Sequence, residues 1–190
     1  MTFDFAAARA MMVDTQVRVN DVTDVTIQAA MRQMPRERHC PVGGSHMAYA
    51  DAEVEYAPGR WLLRPRDAAK LLQSIRPRAG ETALCIAAPY LADILDDMGL
   101  VVTRLNEGDL KAAPAGSFDV VVCEGAVADV PASWTAALGD GGRLGVVVRN
   151  SRAGKARIYL KAGADLGWRE PFDANPPVMA GFEPEVGFAF

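Results

Sequence analysis

The stretch that most constrains this chain is ALCIAAPYLADILDDMGLVVTRLNE, residues 83–107. ALCIAA is apolar, short and unbroken, which suits a strand buried on both faces better than an amphipathic helix. In PYLADILDDMG, Leu91, Ile94, Leu95 and Met98 recur at helical spacing, and Gly99 stands where a helix C-terminal glycine belongs. LVVTRLN is a second buried-strand candidate. Strand, helix and strand within about 25 residues make a compact βαβ unit with parallel strands and a right-handed crossover. In doubly wound sheets the turn after the first such strand seats a nucleotide-like cofactor on the open N-terminus of the helix. Here that turn reads Ala87, Ala88, Pro89, Tyr90, without the expected glycines.

At 190 residues the chain suits one domain, which can bury roughly 70% of its unfolded surface without a metal or disulfide. Half the residues are apolar, yet no run approaches the roughly 18 needed to span a bilayer. The N-terminus lacks a basic start followed by an apolar core, so a signal peptide is not expected and the localisation read from sequence is cytoplasmic. A formal charge of −4 argues against a nucleic-acid surface. Cys40, Cys85 and Cys123 are odd in number and far apart, and read as small core residues in a reducing compartment. His39 and His46 have no partner at metal-ligand spacing, and no metal site is expected.

In chain order, Asp4 caps a helix over residues 4–19, with Phe5, Ala8, Met12 and Val19 on one side. Asp24 caps a second helix through Val25, Ile27, Ala30, Met31 and Met34, stopped by Pro35. A loop with short extended pieces near residues 52–56 leads to a third helix over residues 65–75, opened by Pro65. After the βαβ unit, EGDLKAAPAGS is a polar connection. FDVVVCEGAV reads as a central strand, residues 132–138 as a helix opened by Pro131, and RLGVVV and ARIYLKAG as further strands. Two more extended pieces are expected around Pro176 and Pro177. The pattern is an α/β sandwich with antiparallel strands at one edge.

MVDTQVRVNDVTDVTIQAAM, MPRERHCP and AYADAEVEYAPGR, then FDVVVCEGAV, PASWTAALGDGGRLGVVV and the ending WREPFDANPPVMAGFEPEVGFAF occur in an order and spacing that together resemble the protein-L-isoaspartate O-methyltransferase family, particularly its bacterial members. The resemblance covers nearly the whole chain. It implies a Rossmann-like S-adenosylmethionine methyltransferase sandwich with an N-terminal helical region (residues 1–78) packed on a Rossmann-like domain (residues 79–190). It also implies S-adenosylmethionine as cofactor and repair methylation of isoaspartyl carboxylates as activity.

The departures fall on functional positions. The family's glycine-rich turn is AAPY here and about two residues shorter. The two alanine methyls and the missing Pro89 N–H oppose close approach of a ligand to the backbone. Where the family has a GQTIS-like loop, this chain reads GRWLLRP, with Leu63 and Trp61 in place of the hydroxyl residues. The acid that would receive the ribose hydroxyls aligns on Asn106, beside Glu107. EGDLKAAPAGS is too short for the family's next helix and strand, so one edge strand and its helix are expected to be missing.

By resemblance Asp51 matches a position near the active cleft, although an Asp between extended pieces also caps turns. Ala87, Ala88, Tyr90, Asn106, Glu107 and Glu124 are the cofactor-binding candidates. Tyr90 either packs or covers the site. Glu124, at the carboxyl end of its expected strand, faces the crevice where such sheets bind ligands. Arg60, Arg64 and Arg66 around Trp61 form either an anion site or a solvated helix start. The expected function is a family member with degenerate cofactor and substrate loops, non-catalytic or strongly impaired and acting as an interaction module. The alternative is an active S-adenosylmethionine-dependent carboxyl methyltransferase acting on isoaspartyl residues or another carboxylate. Expected partners are another protein, an isoaspartyl-containing protein or a second copy, with neither nucleic acid nor membrane.

Overall fold

A computed structural model describes residues 4–184. The chain opens with helix α1 (Phe5–Met12), whose first turn is capped by Asp4 accepting from the Ala7 amide at 3.0 Å. The helix does not run on regularly to Val19. A π-helical turn (Val13–Val17) and a 3₁₀ turn (Arg18–Asn20) follow. The wider π turn shifts the buried face to Val13 and Val17 and leaves Val19 68% exposed. Asp24 caps helix α2 (Val25–Gln33) through the amides of Thr26 and Ile27. Val25 is exposed, outside the buried stripe of Ile27, Ala30 and Met31.

A short antiparallel pair, β1 (Val54–Ala57) and β2 (Arg60–Leu62), leads into helix α3 (Pro65–Ile75), with Pro65 in its first turn. The βαβ unit follows as β3 (Thr82–Ile86), α4 (Pro89–Asp97) and β4 (Val101–Leu105). Then come β5 (Phe118–Val127), α5 (Ala132–Ala136), β6 (Leu138–Val148), β7 (Lys155–Ala162) and β8 (Asp165–Asp173). Helix α5 is shorter than expected because Leu138 already pairs with Phe118 as the start of β6. The tail contributes β8 and a single parallel bridge from Val178 to Ala126. The expectation for its last residues, 185–190, lies outside the described residues.

The six-stranded sheet has the order β4-β3-β5-β6-β7-β8. Strands β4, β3, β5 and β6 are parallel, and β7 and β8 are antiparallel additions. β3 is interior, as its unbroken apolar run requires. β4 is an edge, because no strand forms in residues 107–117. The architecture is the α/β sandwich expected from the sequence.

The faces of the sheet are covered unequally. One core joins α1, α2, α3 and α4 to Ala83, Cys85, Val120 and Val122. The other gathers Leu84, Ile86, Val121, Cys123 and Val146 under Trp134 of α5 and the tail residues Met179 and Phe182. Gly125 permits the tail's close approach, since a Cβ there would lie 2.7 Å from Met179 Cγ. The shortened connection is pinned to the second face. Leu110 is buried and its carbonyl accepts from Trp134 Nε1 at 2.8 Å, while the Ser133 hydroxyl donates to the Lys111 carbonyl.

Candidate functional site

The turn after β3 is closed from within. Ala87 adopts φ +46, a left-handed conformation that costs a residue with a Cβ about 1–2 kcal/mol. Its amide donates to the Leu105 carbonyl at 2.9 Å, and its carbonyl accepts from the Tyr56 hydroxyl at 3.1 Å. Ala88 and Pro89 open α4 without a side-chain oxygen of their own. Glu124 supplies the cap from β5. Its Oε2 accepts from the amides of Tyr90 at 3.2 Å and Leu91 at 3.3 Å, placing an acid at the positive end of the helix dipole.

Behind Glu124 lies Arg36, wholly buried as Glu124 is. Its Nε donates to the Ala48 carbonyl at 2.8 Å and its Nη2 to the Leu63 carbonyl at 2.6 Å. Nη1 stands 3.7 Å from Glu124 Oε1. The guanidinium carbon sits 5.0 Å from the centre of the buried Tyr90 ring, a cation–π contact. Arg36 Nη1, Glu124 Oε1 and the Tyr90 hydroxyl make no hydrogen bond. Burial pushes the Glu124 carboxyl up to about 7, opposed by Arg36 and by the amides of Leu91, Tyr90 and Leu63. Burial also raises the Tyr90 and Tyr56 hydroxyls above their ordinary value. His39 flanks the ring, and its Nε2 lies 2.8 Å from Asp93.

The structure therefore brings Ala87, Ala88, Tyr90 and Glu124 together and leaves the other candidates apart. The placement of Glu124 corrects the sequence reading: it is not at a strand end facing an open crevice. β5 runs on to Val127, and Glu124 falls in an irregular stretch between Val122 and Ala126, turned beneath α4. Tyr90 is packing. Asn106 and Glu107 are exposed in the loop after β4. Asp51 is exposed in a bend before β1; against the burial of Arg64, Glu53 and Asp67 hold that guanidinium above its ordinary value and Asp51 adds least.

In the GRWLLRP loop, Leu62 and Leu63 are core residues. Its arginines are occupied elsewhere. Arg64 pairs with Glu53 at 2.8 Å, Arg66 lies 3.4 Å from Asp67, and Arg60 donates to the Ala180 carbonyl at 2.8 Å. Arg36 was missed by sequence reasoning, because an arginine in the run RERH reads as solvated. Among the described residues no cluster of three or more His, Cys, Asp or Glu side chains is placed to hold a metal. The three cysteines are free, and burial pushes the Cys85 thiol up to about 12. No helix among the described residues is long and apolar enough to cross a membrane.

No protein-family model matches this sequence. Curated relatives do. Protein-L-isoaspartate O-methyltransferase 1 of Rhodopseudomonas palustris is 27% identical over 82% of this chain and 75% of its own length. The protein-L-isoaspartate O-methyltransferase of Methylorubrum populi is 28% identical over 75% of this chain and 80% of its own length. Among solved structures, one described as a putative protein-L-isoaspartate O-methyltransferase from Plasmodium falciparum in complex with S-adenosyl-L-homocysteine superposes with a TM-score of 0.72. That match has 12% identity and covers 94% of this chain and 99% of the other. A second protein-L-isoaspartate O-methyltransferase gives 0.69 at 15% identity, over 95% of this chain and 67% of that one. By sequence likeness and by fold, this chain is a divergent relative of the protein-L-isoaspartate O-methyltransferase family.

Proposed function

We propose that this chain is a non-catalytic member of that family, an interaction module whose cofactor turn is filled by its own side chains. The observation that carries the reading is Glu124 Oε2, which occupies both amides that open α4. S-adenosylmethionine, the cofactor implied by resemblance, needs donors and room at that turn. Here the Ala87 amide is committed to Leu105, Pro89 has no N–H, and Ala87, Ala88, Tyr90 and Glu124 are closed to solvent. Leu63 and Trp61 stand in place of the substrate-loop hydroxyls. The residues present do not fit the cofactor.

Calorimetric titration with S-adenosylmethionine is expected to give a Kd weaker than about 1 mM, less than about 4 kcal/mol of binding free energy. Thermal unfolding should not shift at a few hundred micromolar cofactor. A clear upward shift would restore the alternative, an active carboxyl methyltransferase acting on isoaspartyl residues or another carboxylate. The relatives' names favour that second reading. In it, Asp51 serves the chemistry and Asn106 and Glu107 meet the ribose.

The module reading includes self-association through β4. This edge has no neighbouring strand on its outer side among the described residues, and Val101 is 64% exposed on it. Unpaired strand edges favour pairing with another chain, and a second copy supplies the same edge isologously. Light scattering at micromolar concentration is expected to give a dimer that Val101→Lys converts to monomer. A wild-type monomer would refute this assembly.

A further inference from the structure

The opposite edge of the sheet carries a groove that the cofactor turn does not touch. A hollow of about 740 Å³ lies between the C-terminal end of α3 and the β7–β8 hairpin. A second, of about 580 Å³, continues it toward the start of α2 and shares Ser74, Arg76, Arg78 and Arg169 with the first. Four arginines line the two, in a protein whose formal charge is −4. Arg143 is committed, bridging Glu81 at 2.9 Å and the carbonyls of Ile75 and Arg76. Arg169 donates to the Ser74 carbonyl at 2.7 Å. Arg76 and Arg78 are exposed and have no acidic partner among the described residues. Arg76 also sits at φ +50, a left-handed helix end where glycine or asparagine is the unstrained choice. The acids lining the hollows are Asp24, committed to capping α2, and Asp165.

β8 borders this groove and, among the described residues, pairs only with β7, which leaves its outer edge open to an added strand. Strand alternation divides its side chains. Asp165, Gly167 and Arg169 stand opposite Ala162, Leu160 and Ile158, on the face of the α3 groove. Leu166 and Trp168 stand opposite Lys161 and Tyr159, on the other face, and are 43% and 57% exposed, with the Arg157 guanidinium 4.3 Å from the centre of the Trp168 ring. Pro171 interrupts the edge only beyond this stretch.

We propose that β8 accepts an extended acidic peptide as an added strand, with alternate carboxylates meeting Arg76, Arg78 and Arg169 and the intervening apolar side chains covering Leu166 and Trp168. A basic face, a second face with two exposed apolar side chains and an open backbone edge between them match a peptide that alternates acidic and apolar residues. A nucleic acid would use the arginines but not the strand edge.

The test is fluorescence anisotropy with a labelled octapeptide alternating Glu and Val. Saturable binding is expected, weakening at least about tenfold when salt rises from about 0.02 M to about 0.5 M. Arg76→Glu combined with Arg78→Glu should weaken it at least about tenfold, whereas Arg152→Glu, an exposed arginine outside the groove, should not. Trp168→Ser should weaken it through the other face. N-methylation of alternate peptide amides should abolish it. The proposal is overturned by no saturation at millimolar peptide, by equal binding to the double variant or to the methylated peptide, or by equally tight binding of an oligonucleotide of the same charge. None of these outcomes depends on whether S-adenosylmethionine binds, so the two proposals fail separately.

Discussion

Arg36→Met is expected to lower the unfolding free energy by about 3–5 kcal/mol above pH 7, because it leaves the buried Glu124 carboxylate without its counter-charge. Methionine fills most of the volume, so little of the loss comes from packing. It also strips the Ala48 and Leu63 carbonyls of their donors, about 1–3 kcal/mol of the total. The loss should depend on pH with a defined sign. The folded Glu124 titrates near 7, above its ordinary 4.5, so the folded state holds the proton more tightly than the unfolded chain. Wild-type stability from this group is then greatest below about 4.5 and falls, by on the order of 3 kcal/mol, as pH rises through about 7. Removing Arg36 pushes the carboxyl still higher, so the variant's deficit should be smaller at pH 5 than at pH 8. Urea unfolding at the two pH values measures it. Glu124→Gln, neutral throughout, should abolish this part of the pH slope. A deficit equal at both pH values, or below about 1 kcal/mol, would refute the plug.

Trp134→Ala is expected to cost about 3–5 kcal/mol, the range for deleting a buried aromatic that leaves a cavity. The indole is wholly buried, packs on Phe182 at 5.5 Å between ring centres and donates to the Leu110 carbonyl at 2.8 Å. It is the main anchor of a connection that stands where the related fold is expected to place a further helix and strand. The effect should extend beyond α5. Amide hydrogen exchange should accelerate in residues 107–117 of the variant, while β3 and α4 stay protected. A cost under about 1 kcal/mol, or loss of protection in β3 first, would show that the second face is held by the tail alone.

The elements were legible in the sequence where their signals are local. Asp4 and Asp24 cap helices because a short acidic side chain reaches amides two or three residues on. α3 begins at Pro65, whose fixed φ and absent N–H suit a first turn. The unbroken apolar runs of β3 and β5 require cover on both faces, which placed them inside the sheet. The shortness of residues 107–117 placed β4 at its edge. The break in α1 was not legible, because the inward turn of Val13 and Val17 is set by what they pack against.

The candidate site divides in the same way. The absence of glycine at residues 87–90 was plain from the sequence. What fills the turn instead was not. Glu124 meets amides more than thirty positions earlier, and Arg36 is buried by carbonyls from two later segments, Ala48 and Leu63. A sequence pattern reports which face of an element is apolar, since that repeats every two or 3.6 residues. It carries no record of which distant carbonyl or amide will satisfy a buried charge. Only the packing of α4 over β5, with the segments around residues 36, 48 and 63 closed against it, turned two charged side chains into a plug.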